Sequence, residues 1–192
     1  MNHSHYIIWS LLIYTAISRI AELYKASQNQ KIRKQNPDVR VVHEPYYFLF
    51  VLLHSSIFIL VPFEIIYFNR QFFPVLGGIC FIVFVFASFL RFYILRTLKS
   101  YWNTKLIHNP SSHEIITTGP YKYIRHPNYL VVILELSTLS LFHTAYFSFI
   151  FLSLWNAIML FIRIQKEEKI LFQNTKYKEH FSDKKRFVPF II

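Results

Sequence analysis

The sequence predicts an all-α, polytopic membrane bundle of about five transmembrane helices, ending in a helical hairpin and a C-terminal helix outside the bilayer. Three observations predict it. Of 192 residues, 54% are hydrophobic and only 16% are charged, with a mean hydropathy of +0.31, which is unlike an ordinary soluble domain. The apolar residues come in runs long enough to cross roughly 30 Å of hydrocarbon, which takes about 20 residues as a helix because every backbone amide must find its partner inside the segment. The charge, 21 basic against 10 acidic residues for a net +11, is gathered into alternate connections, which accounts for it without nucleic acid.

Taken in order, residues 6–24 carry no charge until Arg19 and form the first span. Residues 46–68 carry only Glu64, near their end, and residues 72–90 carry none; these are the second and third spans. Residues 127–142 and 146–164 flank His143-Thr144-Ala145 as two limbs of a hairpin. The fourth span is marginal in length: it crosses only if its helix starts near Pro127, a residue suited to the first helical position, and otherwise the hairpin does not cross fully. Five Lys and Arg fall in 25–40, six in 91–125 and eight from 163 onward, against one in 69–71 and none at the hairpin tip. With Arg19 ending the first span, twenty of 21 lie on one side, an expectation of N-terminus outside and C-terminus in the cytoplasm. No Lys or Arg precedes the first run and no small-residue cleavage site follows it, so no cleaved signal peptide is expected. The single cysteine, Cys80, lies in the third run and cannot form an intrachain disulfide. We read residues 1–192 as one membrane domain whose cytosolic parts are about 100–128 and 163–192.

Polar residues gather in HEIITTGPYKYIRHPNYLVVILE, residues 113–135. Thr117-Thr118-Gly119-Pro120 is a turn signal, and Pro127 restricts His126 to an extended backbone, so Tyr121 to His126 is held between two rigid punctuations. An interfacial loop with snorkelling Lys122 and Arg125 would look the same. Glu135 lies seven residues beyond Asn128 and shares its helix face; a carboxylate at that depth either faces a cavity or pairs with a nearby Arg. His54 reads as a satisfied interior histidine. Arg163 and Glu167, at i and i+4, would form a surface pair worth about 0.3–0.5 kcal/mol; facing the His126 loop, they could instead hold an anion and accept hydrogen bonds from a ribose or an amine. No metal-ligand spacing, P-loop, GxGxxG or GxSxG occurs, so no metal site is expected.

Thr118-Gly119-Pro120-Tyr121-Lys122-Tyr123-Ile124-Arg125-His126-Pro127-Asn128-Tyr129, followed by Arg163-Ile164 and Glu167-Glu168, resembles the two signature regions of the isoprenylcysteine carboxyl methyltransferase family, over roughly the C-terminal half. The N-terminal half, with Arg19-Ile20-Ala21-Glu22 and Asn29, is closer to short bacterial members. The resemblance implies a membrane enzyme that takes S-adenosyl-L-methionine on its cytosolic side and a lipophilic acceptor from the bilayer. Carried over residue by residue, the cofactor contacts are His113, Glu114, Ile115, Ile116, Tyr121, His126, Pro127, Asn128, Tyr129 and Glu167, with Arg163 on the acceptor side. Asn174 departs from the family, standing where glycine is common. Tyr121 or Tyr129 could hold the sulfonium by a cation–π contact worth about 0.5–2 kcal/mol. A carboxylate acceptor, as in an isoprenylcysteine, needs only orientation by Arg163; an enol or phenol, as in a small lipid such as an alkylpyrone, needs a base, for which His126 or Glu135 is the candidate. The competing readings are an NADPH-dependent reductase of the steroid-reductase type, a phospholipid N-methyltransferase, and a non-catalytic membrane bundle. The RHPNY and RI..EE pair favours methyl transfer.

Overall fold

The computed structural model describes residues 3–110 and 114–187. Helix α1 (His3–Arg33) runs 31 residues, about 46 Å, and so continues well past the expected end of its span. Its buried positions Ile8, Leu11, Leu12, Thr15, Glu22, Ala26 and Asn29 fall at helical spacing, so one stripe faces the bundle and the outward residues of the apolar run face the lipid side. Helices α2 (Tyr47–Tyr67), α3 (Pro74–Leu98) and α5 (Tyr146–Leu171) are, with α1, the four among the described residues long and apolar enough to cross a membrane. Their outward residues are strongly exposed, Phe89 at 72% and Ile82 at 70%. That is the normal surface of a helix whose solvent is hydrocarbon.

Helix α4 (Pro127–Leu141) starts at Pro127, as expected of a proline at the first helical position. Its 15 residues measure about 22 Å, short of the bilayer core. Four long apolar helices and this shorter one make up the expected five, with the fourth the marginal one. The missing length does not upset the packing, because α4 is sandwiched between α3 and α5 rather than left in lipid.

The hairpin tip explains one buried charge. Glu64, near the end of α2, accepts hydrogen bonds from the first free backbone amides of α5, Phe147 at 3.1 Å and Ser148 at 2.6 Å, and from Ser148 Oγ at 2.7 Å. A guanidinium nitrogen of Arg70 lies 2.7 Å from the same carboxylate. Glu64 is thus the N-terminal cap of another helix, where a carboxylate meets orphan donors and the positive end of the dipole. The Thr144 hydroxyl donates to the Gln71 carbonyl at 2.8 Å and ties the tip to the α2–α3 connection.

Around that tip lies the main apolar core, with Leu53, Ile57 and Val61 of α2, Leu136 and Leu139 of α4, and Leu152 of α5. The opposite end of the bundle is built from the polar connections. Strand β1 (Arg40–Val41) pairs antiparallel with β2 (Ile107–His108). Asn29 of α1 donates to the carbonyls of Lys99 and Trp102, at 3.0 and 2.8 Å. Helix α6 (Thr175–Phe181) is capped by the Asn174 side chain, which accepts from the Tyr177 amide; this gives the residue that departs from the family a local reason. Gly119 opens a short 3-10 turn (Gly119–Lys122) with φ +60, and a Cβ there would lie 2.6 Å from Thr97 Oγ1.

Candidate active site

The polar end encloses a cavity of about 670 Å³. One end is bounded by the connections and α6, through His108, Glu114, Ile115, Ile116 and Tyr177. It then runs into the bundle between α1 and α2, where Leu23, Val51, Ser55 and Phe58 line it. Leu23 and Val51 are each about half exposed, so the inner end has an apolar wall bordering the lipid-facing surface.

Three side chains meet at its centre. The Tyr129 hydroxyl of α4 donates to the Glu167 carboxylate of α5 and accepts from Arg163 Nε at 3.0 Å. Another Arg163 nitrogen donates to the Thr104 carbonyl at 2.6 Å, a third lies 3.9 Å from the Glu44 carboxylate, and the Phe50 ring lies 5.0 Å from its guanidinium carbon. Arg163 and Glu167 therefore do not stand as an exposed i,i+4 pair. A tyrosine from the neighbouring helix sits between them, and both turn inward.

The next residue has a different task. Glu168 lies on a face about 100° away and accepts from His126 Nε2 at 3.0 Å and from Arg186 at 2.6 Å, with an Arg125 nitrogen at 3.2 Å. It clamps the loop before α4 to the chain after α6. The backbone bonds from the Arg125 and His126 amides to the carbonyls of Lys185 and Arg186, each 2.9 Å, run in parallel with it. His126 is buried, its ring stacked on Tyr129 at 5.3 Å.

Glu135 stands apart from the cavity. Its carboxylate accepts from Arg91 Nη2 at 2.7 Å and pairs with Arg19; Arg19 also donates to Glu22 at 2.7 Å, and Arg91 Nη1 donates to Asn128 at 2.8 Å. Both guanidiniums meet Glu135 Oε2, so of the two sequence readings of this carboxylate the pairing with arginine is the arrangement found. The shared face with Asn128 is real, bridged by Arg91. Pro127 is buried behind the wall and sets the helix start instead of lining the cavity. Glu114, Ile115, Ile116, Tyr121, His126, Asn128, Tyr129, Arg163 and Glu167 all line it; His113 lies outside the described residues. Arg91, Glu44, Glu168 and Thr104 were not singled out from sequence. Only the signature pair Glu167-Glu168 carried a signal for any of them.

Burial pushes the Tyr121 and Tyr177 phenols well above the ordinary tyrosine range, with Glu167 adding to the shift at both. Both are neutral rings at physiological pH, as suits contact with a positively charged ligand.

The profile of the isoprenylcysteine carboxyl methyltransferase (ICMT) family matches residues 79–173, which spans α3 to the end of α5 and so contains Tyr129, Arg163 and Glu167. An uncharacterized protein of Bacillus subtilis (strain 168), YpbQ, is 34% identical over 165 residues, covering 85% of this chain and 95% of YpbQ. The chain belongs to the ICMT family. An uncharacterized protein of Haemophilus influenzae (strain ATCC 51907 / DSM 11121 / KW20 / Rd) is 36% identical over 91 residues, 46% of this chain and 52% of that protein. Membership of the ICMT family, with its long apolar helices, makes this chain a multi-pass integral membrane methyltransferase.

Proposed function

We propose that this ICMT-family chain transfers a methyl group from S-adenosyl-L-methionine to an oxygen of a lipophilic acceptor drawn from the bilayer, an isoprenylcysteine-like carboxylate or the enol or hydroxyl of a small lipid. One observation carries the reading: the Arg163–Tyr129–Glu167 constellation stands in a cavity that has polar connections at one end and apolar helix faces at the other. The residues fit the methyl donor. Glu114 and Glu167 supply carboxylates for an amine and a ribose, and the rings of Tyr121 and Tyr129 offer faces for a sulfonium. When bound, S-adenosyl-L-methionine supplies an electrophilic methyl group on a positively charged sulfur.

The chain's own contribution is alignment and exclusion of water. Tyr129, locked between Arg163 and Glu167, would offer its ring to the sulfonium, and Arg163 would offer its remaining N–H groups to the acceptor oxygen. The apolar lining strips water from that oxygen. The positive-inside pattern supports a polar end in the cytoplasm, and the likeness to bacterial relatives supports the cytoplasmic membrane of a bacterium, with the soluble donor on that side and membrane lipids as neighbours; no role for nucleic acid is proposed.

Calorimetric titration of S-adenosylhomocysteine into detergent-purified protein tests this, with NADPH as control. Saturable binding lost in Glu167→Ala is expected, followed by labelled methyl transfer into membrane lipids. A folded protein that binds NADPH and not S-adenosylhomocysteine would overturn the proposal in favour of a reductase.

A further inference from the structure

One titratable side chain in the cavity has no part in the arrangement described above. His54 of α2 lines both the large cavity and a narrow cleft that it shares with Thr15, Arg19, Val132 and Glu135. Its Nδ1 lies 2.8 Å from the Phe50 carbonyl one turn earlier. A carbonyl can only accept, so Nδ1 carries the proton and the neutral ring's Nε2 keeps its lone pair. Nε2 makes no hydrogen bond among the described residues. The sequence reading of a satisfied interior histidine is half right: one nitrogen is satisfied and the other is available.

Its position matters as much as its lone pair. Methyl transfer is an in-line displacement, so the acceptor oxygen approaches from the side of the methyl group opposite the sulfur. With the donor at the polar end, the acceptor oxygen must lie on the apolar side of Tyr129 and Arg163. Phe50 covers the Arg163 guanidinium from α2, and His54 stands one turn further toward the apolar end, about 5–6 Å along the helix. His126, by contrast, is tied through Nε2 to Glu168 on the polar side. The charged groups facing His54 are Arg19 from α1, Arg91 from α3 and Glu135 from α4. With Glu22, which pairs with both arginines, they form a set of two guanidiniums and two carboxylates. That set is electrically neutral overall; within it the two guanidiniums disfavour an imidazolium and Glu135 favours one, so a proton taken by Nε2 is held only in passing.

We propose that His54 is the catalytic base of this enzyme, its Nε2 taking the proton from the hydroxyl of an enol or phenol acceptor. The inference rests on the methyl-transfer reading above and decides between its two acceptor chemistries. The acceptor O–H bond breaks, with the proton passing to Nε2 and the electron pair staying on oxygen. That oxygen forms the new O–C bond while the C–S bond of the donor breaks, its pair returning to sulfur, and the imidazolium afterwards releases its proton to solvent.

The test uses the full chain in nanodiscs and a long-tailed nitrophenol, whose phenolate absorbs visible light, so that ionisation of the bound acceptor is read without turnover. In buffer acidic enough to keep the free probe protonated, wild type with S-adenosylhomocysteine bound is expected to develop the phenolate band. His54→Asn, which keeps a donor for the Phe50 carbonyl, is expected not to; His54→Gln is the second variant should the first fold poorly. Methylation of para-dodecylphenol should fall about a hundredfold or more in either variant, while S-adenosylhomocysteine binding stays unchanged. An equal phenolate band in wild type and variant overturns the proposal. So does a wild type that binds S-adenosylhomocysteine yet leaves the phenols unmethylated. Failure to bind S-adenosylhomocysteine at all would instead strike the methyl-transfer reading itself.

Discussion

Replacing Glu135 with Gln separates an ion-cluster anchor from a catalytic base. Glu135 and Glu22 face Arg19 and Arg91 within one contiguous set of contacts, and the side chains of Arg91 and Glu135 retain only 6% and 10% of their exposure. The substitution keeps the shape and removes one negative charge, leaving two guanidiniums against a single carboxylate where little water can help. Breaking a buried pair by removing one partner costs about 3–5 kcal/mol, most of it the uncompensated charge. Glu135→Gln should therefore unfold at a markedly lower mole fraction of sodium dodecyl sulfate, followed by circular dichroism in mixed micelles. Adding Arg19→Met restores neutrality, and the double variant should recover a large part of the loss, giving a coupling well above the few tenths of a kcal/mol found for independent sites. Binding of S-adenosylhomocysteine should weaken only slightly, since Arg91 keeps its bond to Asn128. Unchanged stability together with lost turnover would refute the cluster argument and return Glu135 to the role of base.

Gly119→Ala should destabilise the bundle by about 1–2 kcal/mol from its left-handed backbone alone, with a further loss from the contact to Thr97 Oγ1 that Thr97→Ala relieves; thermal melts of the two single variants and the double variant separate these parts. Glu64→Leu removes the cap of α5 and should cost about 1–2 kcal/mol, with affinity for S-adenosylhomocysteine unchanged because the tip is remote from the cavity; a calorimetric change in affinity would contradict that. Burial raises Tyr121 and Tyr177, so the folded chain keeps protons that the unfolded chain releases above about pH 10. Stability should fall as pH rises past that point, and Tyr121→Phe should flatten the fall in alkaline melts.

What the sequence made legible was whatever is local. The start of α4 at Pro127, the turn at Gly119 and the apolar runs depend on residues a few positions apart, and the structure keeps all three. Partners supplied by distant elements were not legible. Glu64 read only as the single charge near the end of its span because the amides it caps lie 83 and 84 residues away, and no spacing rule reaches that far. Arg163 and Glu167 have the separation of a surface pair, and only the packing of α4 on α5 brings Tyr129 between them. The two adjacent carboxylates Glu167 and Glu168 look redundant in sequence. Helical geometry turns one to the cavity and the other to the His126–Arg186 clamp.

The shortness of α4 gives these particulars a common cause. Tyr129, in its first turn, packs against Leu160 and Ile164 of α5, well inside the length that α5 devotes to the membrane. A helix of about 20 residues from the same hairpin tip would carry its first turn roughly 7 Å further out, beyond Phe50 and His54. The cavity would then lose its connection to the apolar faces of α1 and α2. Ending early, α4 leaves a hollow in the polar half of the bundle that residues 102–110, 114–126 and 172–187 roof over. In the proposed reaction, a charged, water-soluble methyl donor and an acceptor dissolved in lipid would meet in such a hollow. The costs of leaving it unfilled are met elsewhere in the same chain, by the Arg19–Glu22–Arg91–Glu135 cluster along its wall and the Glu168 clamp at its roof.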